Sequence, residues 1–352
     1  MQPKILYSVG KIEEAAARIS DAVLETPVFT SNRIDELVGL QTEGNDRTRV
    51  KLYFKCENLQ STGSFKIRGA TNVLRCMPDE QLQRVIIVFS TGNHALAMSY
   101  AARKESKIRG FPVPATVVMP TCAPKIKIEG AERNGAIVIL RGLTAADAAM
   151  VAHELHEKTG ATIVPPADHH QVVLGQATTT LEFIRQIEAS GKGPLDALLV
   201  SNSGGALVVG SGVVCMGQRT FVIATEPQCG GADLVQGRRE GKRVEAINAG
   251  FTTIADGLRS TVAPSIWSLI QDHRYVHDVY AVSDAEIKRA MQLLIEEMKL
   301  LVEPCSAVPL AVALFNKEFH RTLTRDRSEW KIGIIITGGN TTLARVGELF
   351  SE

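Results

Sequence analysis

The sequence has little of what marks several large classes of protein. Its 39 lysine and arginine residues nearly balance 38 aspartate and glutamate residues, so it lacks the charge excess of a protein that binds nucleic acid or an anionic membrane surface. No apolar run reaches the length of about 18 residues that spans a bilayer. The six cysteines include no CxxC pair and no cysteine–histidine metal spacing. These absences leave a small molecule as the favoured partner, with no nucleic acid and no membrane.

Two more absences concern the cellular compartment. Segment 1–19 contains no long apolar stretch and carries acidic residues, so it predicts a helix rather than a signal or transit peptide. Several cysteines fall in apolar runs, which predicts buried free thiols. We therefore expect a cytoplasmic protein.

What the sequence does contain is a regular alternation of short apolar runs with longer amphipathic segments. Near-continuous apolar strands separated by helices are typical of a parallel sheet that is covered on both faces. Helix ends support this alternation, because Ser283 and Glu286 have capping-box spacing and Gly135 and Gly160 stand where helices should stop. The predicted fold class is α/β, with strands at 50–55, 84–90, 115–120, 136–140, 161–165, 197–201, 221–227 and 332–337.

Four glycine-bearing segments stand where a helix begins, three of them directly after a predicted strand. Ligands of open α/β sheets bind at these carboxyl ends, because helix N-termini present free N–H groups there. Glycines and small hydroxyl residues let the backbone approach an anion closely. The segments are STGSFK (61–66), STGNH (90–94), SGGA (203–206) and TGGN (337–340). Any one of them is weak evidence for a site, but four in one chain predict an anion-binding centre.

The first segment also carries a lysine immediately before a predicted helix. It lacks the GxxxxGK[ST] spacing of a nucleotide-binding loop, and no GxGxxG follows the first predicted strand, so nucleotide binding is disfavoured. A lysine with a lowered pKa beside a phosphate site can instead form a Schiff base with a carbonyl cofactor. The apolar neighbours Phe65 and Ile67 favour this interpretation of Lys66 over that of a solvated surface amine.

The segment LYFKCENLQSTGSFKIRGA (52–70) resembles the cofactor-lysine segment of the fold-type II pyridoxal-phosphate family. That group includes threonine dehydratases, serine racemases and related β-eliminating enzymes. The other three glycine segments match the remaining signatures of the family in order, as do ADGLRS (255–260) and EPCSA (303–307). The resemblance runs from about residue 15 to 345 and is closest to the branch of serine racemases and of threonine or hydroxyaspartate dehydratases.

The resemblance implies a role for each matching position. Lys66 would hold pyridoxal 5'-phosphate through a Schiff base, and Phe65 would pack against the pyridine ring. Asn93 would donate to the 3′-oxygen of the ring, Thr337 would face the ring nitrogen, and Glu303 would lie near the cofactor. Backbone N–H groups would cradle the phosphate at Ser203, Gly204, Gly205 and Ala206. The substrate carboxylate would be bound at Ser90, Thr91, Gly92, Asn93 and His94.

These placements imply a β-elimination that releases a 2-keto acid and ammonia from a small β-hydroxy amino acid such as L-serine or L-threonine. The cofactor is the electron sink, and a hydroxyl such as that of Thr337 does not protonate the ring nitrogen as a carboxylate would. Prompt loss of a β-leaving group relieves the resulting charge. A racemase, with or without dehydratase activity, is the main alternative. Another reaction of the family, such as β-replacement, or a catalytically silent binding protein also remains open.

Two departures from the family pattern bear on these alternatives. Thr91 replaces the serine that supplies the second acid/base in serine racemases, and its extra methyl group restricts the side chain. The segment EPQCGGAD (226–233) is similar to a divalent-cation loop in this branch, with Glu226, Gly230 and Asp233 as candidate ligands for Mg²⁺ or Ca²⁺. Its spacing is one residue longer than usual, which puts Ala232 at the position of the family's aspartate.

The family resemblance also implies the domain organisation. A large cofactor-binding domain would comprise residues 1–80 and 166–352, and a small substrate-binding domain would comprise residues 81–165. Each would be an open, mostly parallel sheet covered by helices, as in tryptophan synthase β-like enzymes. A homodimer is expected from the resemblance alone. Residues 106–114 look like a loop insertion that is atypical of the family.

Overall fold

The strands of the chain form two separate sheets. The computed structural model describes residues 7–41, 49–90, 92–231, 233–245, 252–323 and 329–351. Within these residues the larger sheet has the strand order β1-β2-β10-β7-β8-β9, in which only β1 runs antiparallel to its neighbour. Its strands are β1 (Val28–Phe29), β2 (Val50–Cys56), β7 (Ala197–Ser201), β8 (Phe221–Pro227), β9 (Asp278–Val282) and β10 (Trp330–Ile336).

The smaller sheet is parallel throughout and has the order β5-β4-β3-β6. Its strands are β3 (Ile86–Phe89), β4 (Ala115–Met119), β5 (Ile137–Leu140) and β6 (Thr162–Ile163). All four lie between residues 86 and 163, so the chain leaves the larger sheet after β2, completes the smaller one and then returns. The fold is a two-domain α/β fold.

Helices fill the connections and cover the sheets. They are α1 (Val9–Ile19), α2 (Asn32–Gly39), α3 (Lys66–Arg75), α4 (Asp79–Leu82), α5 (Asn93–Arg109), α6 (Lys125–Arg133), α7 (Ala145–Thr159), α8 (His170–Ala189), α9 (Ala206–Cys215), α10 (Asp233–Glu240), α11 (Trp267–Ile270), α12 (Asp284–Glu296), α13 (Pro304–Phe315), α14 (Lys317–Thr322) and α15 (Leu343–Phe350). None of the helices in the described ranges is long and apolar enough to cross a membrane.

The core explains why the strands are so apolar. Ile332, Ile334, Ile335 and Ile336 of β10 are all fully buried, although neighbouring residues point to opposite faces of the sheet. Helices α12 and α13 pack on one face of the larger sheet, and α8 and α9 pack on the other. A strand buried on both faces cannot alternate apolar with polar residues, and this is the pattern that the sequence displays.

The predicted elements are largely confirmed. All eight predicted strands are present, and so is the capping box between Ser283 and Glu286. Gly135 and Gly160 follow α6 and α7 with φ of 85° and 68°, a region that favours glycine. Strands β1 and β9 were not predicted. The first has only two residues, and the second is an edge strand on which Asp278 and Tyr280 interrupt the apolar pattern.

The expectation that residues 106–114 form a loop insertion is wrong for its first four residues. Ser106 to Arg109 are the last turn of α5, which ends at Gly110 with φ of 74°. The Ser106 side chain accepts a hydrogen bond from the backbone N–H of Val113 at 2.9 Å, and so holds the connection to β4 against the helix. Only residues 110–114 connect the two elements.

Helix α3 crosses α8 at very short range. A Cβ atom on Gly175 would lie 2.6 Å from the Cα atom of Gly69, and a Cβ atom on Gly69 would lie 2.4 Å from the Gln176 side chain. Two glycines therefore let the backbones approach more closely than any other residue would allow. The Gln176 side chain also accepts a hydrogen bond from the Gly69 N–H at 3.2 Å.

A buried ionic cluster fixes the same helix. Arg68 is 1% exposed and makes two hydrogen bonds to the carboxylate of Glu57, at 2.8 and 2.7 Å, and two to that of Glu182, at 3.0 and 2.9 Å. The amine of the buried Lys55 also contacts Glu182. Arg68 and Lys55 thus neutralise the carboxylates of Glu57 and Glu182 directly behind the first turn of α3. Arg68 binds each carboxylate through two N–H groups.

Replacing Arg68 with methionine should be strongly destabilising, because it leaves Glu57 without its cation in the interior. We expect the free energy of unfolding to fall by about 3–5 kcal/mol, measured by urea denaturation. Arg133→Met is the matched control, since the Arg133 side chain is 67% exposed and should change stability by less than about 0.5 kcal/mol. Equal urea midpoints for the two variants would contradict a stabilising role for the cluster.

Candidate active site

Four backbone junctions meet in one cavity between the two sheets. Strand β3 ends before Ser90, β7 before the 203–206 segment and β10 before Thr337, while a short loop after β2 leads to Lys66. Strands β2, β7 and β10 are parallel strands of the larger sheet, so their carboxyl ends share one edge, and the segment after β3 of the smaller sheet lines the same cavity. Of the predicted residues, the cavity is lined by Phe65, Lys66, Ser90, Asn93, His94, Ser203, Gly204, Gly205, Ala206 and Thr337.

Lys66 is the first residue of α3 and its amine has no carboxylate partner within the described residues. The amine lies 3.4 Å from the carbonyl oxygen of Pro166 and 4.9 Å from the centroid of the Phe65 ring. Burial removes water from the ammonium form and lowers the pKa of Lys66 to about 8. At pH 7 roughly a tenth of this side chain is therefore an uncharged, nucleophilic amine, far more than for a lysine with the ordinary pKa.

The SGGA segment is a turn into the N-terminus of α9. Gly205 has φ of 90°, a conformation that side chains rarely adopt, and a Cβ atom there would lie 2.9 Å from Ile266. A Cβ atom on Gly204 would lie 2.5 Å from Ala167. Because Ala206 begins the helix, the positive end of the helix dipole opens into the cavity. The tight glycine turn and the unpaired N–H groups of α9 fit a phosphate group.

Gly92 caps the N-terminus of α5, which begins at Asn93. Leu96 donates the first intrahelical bond to Gly92, so the N–H groups of Asn93, His94 and Ala95 have no partner inside the helix. The side chain of Ser90 accepts a hydrogen bond from the Gly92 N–H at 3.1 Å. These donors suit a carboxylate. Thr91 lies outside the described residues.

His94 is 1% exposed and uncharged. Burial, and then the charge of Lys66, lowers the pKa of His94 to about 3. The Nε2 atom lies 3.1 Å from the carbonyl oxygen of Val164, which can only accept, so Nε2 carries the proton. The Nδ1 atom is buried without a partner and offers a lone pair. His94 therefore contributes no positive charge for an anionic substrate.

A buried ionic triad spans the two sheets beside the cavity. The amine of Lys127, on α6, lies 2.8 Å from Asp256 and 2.8 Å from Glu303. Burial alone would lower the pKa of Lys127, but the two carboxylates outweigh it and raise that pKa. Glu303 also accepts from the side chain of Asn93 at 2.8 Å and from the backbone of Asn340 at 3.1 Å. Together with the Asn93 hydrogen bond, the triad thus connects α6 and the N-terminus of α5 to the backbone segments that carry Asp256 and Glu303.

Sequence reasoning missed Lys127, Asp256 and Asn340 as members of this cluster. Asp256 and Asn340 stand inside the matched segments ADGLRS and TGGN, which could have identified them. Lys127 lies in no such segment. Its side chain packs directly against Gly92, since a Cβ atom on Gly92 would lie 2.0 Å from it. Cys305 was not predicted to touch the cavity, but it lines it and accepts from the Gly257 N–H at 3.2 Å.

The proposed cation ligands form a second acidic pair behind the SGGA turn. Glu226 is fully buried and accepts from the side chain of Asn202 at 2.7 Å and from two backbone N–H groups at 3.1 Å. Asp233 accepts from the Val262 N–H at 2.7 Å, and its other oxygen is buried without a partner. Gly230 lies in the turn between them, and Ala232 is outside the described residues.

Burial, and then the charge of Asp233, raises the pKa of Glu226, and burial also raises the pKa of Asp233. Hard cations such as Mg²⁺ and Ca²⁺ prefer oxygen ligands, carboxylates among them. Two buried carboxyl groups, one of which has an unpartnered oxygen, meet that preference. The described residues contain no cluster of three or more acidic, cysteine or histidine side chains suited to a metal. Any cation here would need backbone carbonyls as further ligands.

A nucleophilic lysine facing the positive ends of two helices defines an enzyme that carries a phosphorylated carbonyl cofactor. The family model described as "Pyridoxal-phosphate dependent enzyme" matches residues 19–338. The chain belongs to this family, as a fold-type II member, and its cofactor is pyridoxal phosphate.

Known relatives are similar over almost the whole chain. A serine racemase of Oryza sativa subsp. indica is 35% identical over 342 residues, which are 97% of this chain and 93% of the relative. An L-threo-3-hydroxyaspartate ammonia-lyase of Saccharomyces cerevisiae is 34% identical over 350 residues, 99% of this chain and 97% of the relative. The structure of maize serine racemase superposes with a TM-score of 0.84 at 34% identity, covering 97% of this chain and 96% of that one.

A threonine deaminase from T.th. superposes with a TM-score of 0.81 at 30% identity, covering 96% of this chain and 99% of that one. Ammonia-lyases and racemases thus share this fold and comparable identity to the chain. Overall similarity does not separate the two reactions.

The lowered pKa of Lys66 predicts how the cofactor is captured. We expect the rate at which apoprotein acquires visible absorbance from pyridoxal phosphate to rise about tenfold per pH unit below pH 8 and to level off above it. Lys66→Ala should acquire no such absorbance, whereas Lys125→Ala, an exposed neighbour of Lys127, should behave as wild type. A rate that climbs steadily to pH 10 would indicate an ordinary solvated lysine instead.

From the ionic triad we predict that Lys127, acting through Glu303, positions the N-terminus of α5, where the substrate carboxylate would bind. Lys127→Met leaves Asp256 and Glu303 without their cation, so kcat/KM on the amino acid that the wild-type enzyme turns over should fall about ten- to a hundredfold. Lys127→Arg should recover part of the loss, and Lys125→Met is the control. Steady-state kinetics on protein with a wild-type cofactor spectrum make the measurement. Equal kcat/KM for the two methionine variants would exclude a positioning role.

Proposed function

We propose that the enzyme removes water and ammonia from a small β-hydroxy amino acid such as L-serine or L-threonine and releases a 2-keto acid. The observation that carries the proposal is the presence of the buried Lys66 amine, whose pKa burial lowers, and of a hydroxyl, rather than a carboxylate, at Thr337 in the same cavity. When bound, pyridoxal phosphate supplies the electron sink for loss of the substrate's Cα proton. A hydroxyl partner favours rapid departure of a β-substituent.

The side chains and backbone groups of the cavity divide the remaining tasks. Lys66 would hold the cofactor, and its amine is the group placed to take the Cα proton of the substrate. The N-terminus of α5, with Ser90 and Gly92, binds the substrate carboxylate through backbone donors. The N-terminus of α9 binds the phosphate through the backbone of residues 203–206. Phe65 would pack against the ring, and Asn93, which Glu303 orients through a hydrogen bond, would donate to the ring oxygen.

Neutral His94 completes the substrate side of the site. Its unpartnered Nδ1 atom can accept a hydrogen bond from the substrate but cannot add charge to it. Lys127 is already neutralised by Asp256 and Glu303. Among the described residues that line the cavity, no other cation is available for a second carboxylate on the substrate. This supports a neutral β-hydroxy amino acid over 3-hydroxyaspartate.

A serine racemase, with or without dehydratase activity, is the second candidate function. Serine racemases at 35% and 34% identity support it, as does the oxygen of Thr91 as an acid/base on the face opposite Lys66. Racemisation needs a proton donor on each face of the substrate. A threonine has an extra methyl group that restricts its χ1 rotamers relative to those of a serine, so we place elimination first.

We also propose that Glu226, Asp233 and the backbone carbonyl of Gly230 bind Mg²⁺ or Ca²⁺. A cation would balance the two buried carboxyl groups and engage the unpartnered oxygen of Asp233. The hydrogen bond from Asn202 to Glu226 connects this site to the turn at Ser203, so the cation would support the phosphate cradle rather than contact the substrate.

The remaining proposals concern organisation. We propose a large domain of residues 1–80 and 166–352 and a small domain of residues 81–165, because each of the two sheets falls inside one of them. We propose a homodimer, since Leu59 and Leu301 expose 45% and 40% of their surface at adjacent positions joined by the Asn58–Leu301 hydrogen bond. Six free cysteines support a cytoplasmic location.

A substrate panel tests the reaction. We expect keto acid from L-serine or L-threonine to form faster than the D-enantiomer appears, with chiral chromatography and a keto-acid assay on the same samples. Thr91→Ala should lower racemisation at least about tenfold more than elimination of the L-substrate, because only racemisation needs the opposite face. D-enantiomer formed as fast as keto acid would overturn the primary assignment. Equal losses in both reactions would remove Thr91 from an acid/base role.

A further inference from the structure

Asn340 lies in the TGGN segment after β10, and the proposed function gives it no task. Its side-chain nitrogen donates to the backbone carbonyl of Thr62 at 2.9 Å and to Oδ1 of Asn93 at 3.0 Å. Its backbone N–H donates to Glu303 at 3.1 Å. The amide also packs against Gly63, where a Cβ atom would lie 2.4 Å from Oδ1 of Asn340. Asn340 thus joins the STGSFK segment to the N-terminus of α5.

The partners of Asn340 decide which way round its amide lies. The nitrogen and oxygen ends of an asparagine amide have nearly the same shape, so hydrogen bonding tells them apart. A backbone carbonyl can only accept, so the end that faces Thr62 is the NH₂ group. That group has two protons, and Asn93 receives the second. Asn93 must therefore turn its oxygen toward Asn340, because a nitrogen there would place two NH₂ groups 3.0 Å apart.

Glu303 holds the other end of the Asn93 amide. Its carboxylate pairs with the Lys127 amine and accepts a hydrogen bond from the Asn93 nitrogen at 2.8 Å. With its oxygen bound to Asn340 and one proton bound to Glu303, Asn93 keeps one N–H. No other described residue accepts a hydrogen bond from this amide, and Asn93 lines the cavity. The group that Asn93 offers to a bound molecule is therefore a donor.

We propose that Asn340 fixes the Asn93 amide so that an N–H group, and not the amide oxygen, meets the 3′-oxygen of the cofactor. The inference rests on the role of Asn93 under the proposed function. Asn340 is a positioning residue, since it acts through Asn93. A donor at this point stabilises the ring oxygen without its proton, which then lies on Nζ of Lys66. An amide oxygen there would require the proton to stay on the ring oxygen.

Absorbance spectra of holoenzyme without substrate test the inference. Bound pyridoxal phosphate absorbs visible light when its ring oxygen has given up the proton, and near-ultraviolet light when it has not. In Asn340→Asp the new carboxylate can only accept, so it repels the Thr62 carbonyl and attracts the NH₂ group of Asn93. The ratio of visible to near-ultraviolet absorbance should fall at least about fivefold, the effect of one lost hydrogen bond. Cofactor released in alkali shows that occupancy is unchanged.

Thr342→Asp is the matched control. It adds the same negative charge two residues away, and aspartate replaces the threonine oxygen that accepts from the Arg345 N–H at the start of α15. Its absorbance ratio should equal that of wild type. If Asn340→Asp fails to fold, Asn340→Ala removes the donor without adding charge and should lower the ratio about twofold, because Glu303 still holds Asn93.

A double variant tests whether Asn340 acts through Asn93. In an Asn93→Ala background, Asn340→Asp should change the absorbance ratio no further. A full effect in that background would overturn the inference, as would an equal effect of Thr342→Asp. A ratio that stays at the wild-type value in both Asn340 variants removes the role of Asn340.

Two results in wild-type protein separate this inference from the proposed function. A bound cofactor that absorbs mainly in the near-ultraviolet contradicts the inference and leaves the proposed reaction intact, because the substrate panel tests that reaction independently. A protein that acquires no absorbance from pyridoxal phosphate contradicts both the inference and the assignment of Lys66.

Discussion

The site depends on keeping one amine out of water without giving it a counter-ion. Lys66 begins α3, and its pKa falls because burial disfavours the ammonium form. Such a position is unfavourable for a lysine, so the backbone that carries it must be held by other interactions. Two residues further along, Arg68 supplies them through four hydrogen bonds to two carboxylates. The hydrogen bonds of Arg68 thus hold the first turn of α3 in place, and this turn keeps the Lys66 amine buried without a counter-ion.

Charge is distributed unequally around this amine, and the distribution suits the cofactor. The cavity receives the positive ends of α5 and α9 but no free carboxylate from the described residues, because Glu303 and Asp256 are both paired with Lys127. An anionic phosphate and an anionic substrate carboxylate can therefore enter together. The triad lies between the sheets. The same ion pairs that neutralise the carboxylates therefore also hold α6, and through Asn93 the N-terminus of α5, against the segments that carry Asp256 and Glu303.

Much of this could be predicted from sequence. The eight apolar strands and the four glycine segments were recognised because burial on both faces and tight anion-binding turns each restrict residue choice locally. Residues that act through long-range contacts were not recognised. Lys127 is joined to Glu303 across more than a hundred residues of sequence, and one lysine in an amphipathic helix has no local signature.

The close crossing of α3 and α8 has a consequence for the evolution of the site. At Gly175 a side chain is excluded by the Cα atom of Gly69, 2.6 Å away, and at Gly69 by the Gln176 side chain at 2.4 Å and also by the backbone oxygen of Val172 at 2.9 Å, so even a shift of Gln176 would not make room. The separation of the two helix axes is therefore set by hydrogen atoms in place of side chains, and it cannot be adjusted in small steps. A lineage could retune the loops around the substrate freely, while the depth at which Lys66 enters the cavity would stay constant. The reaction could diversify on this scaffold, but the position of its nucleophile could not.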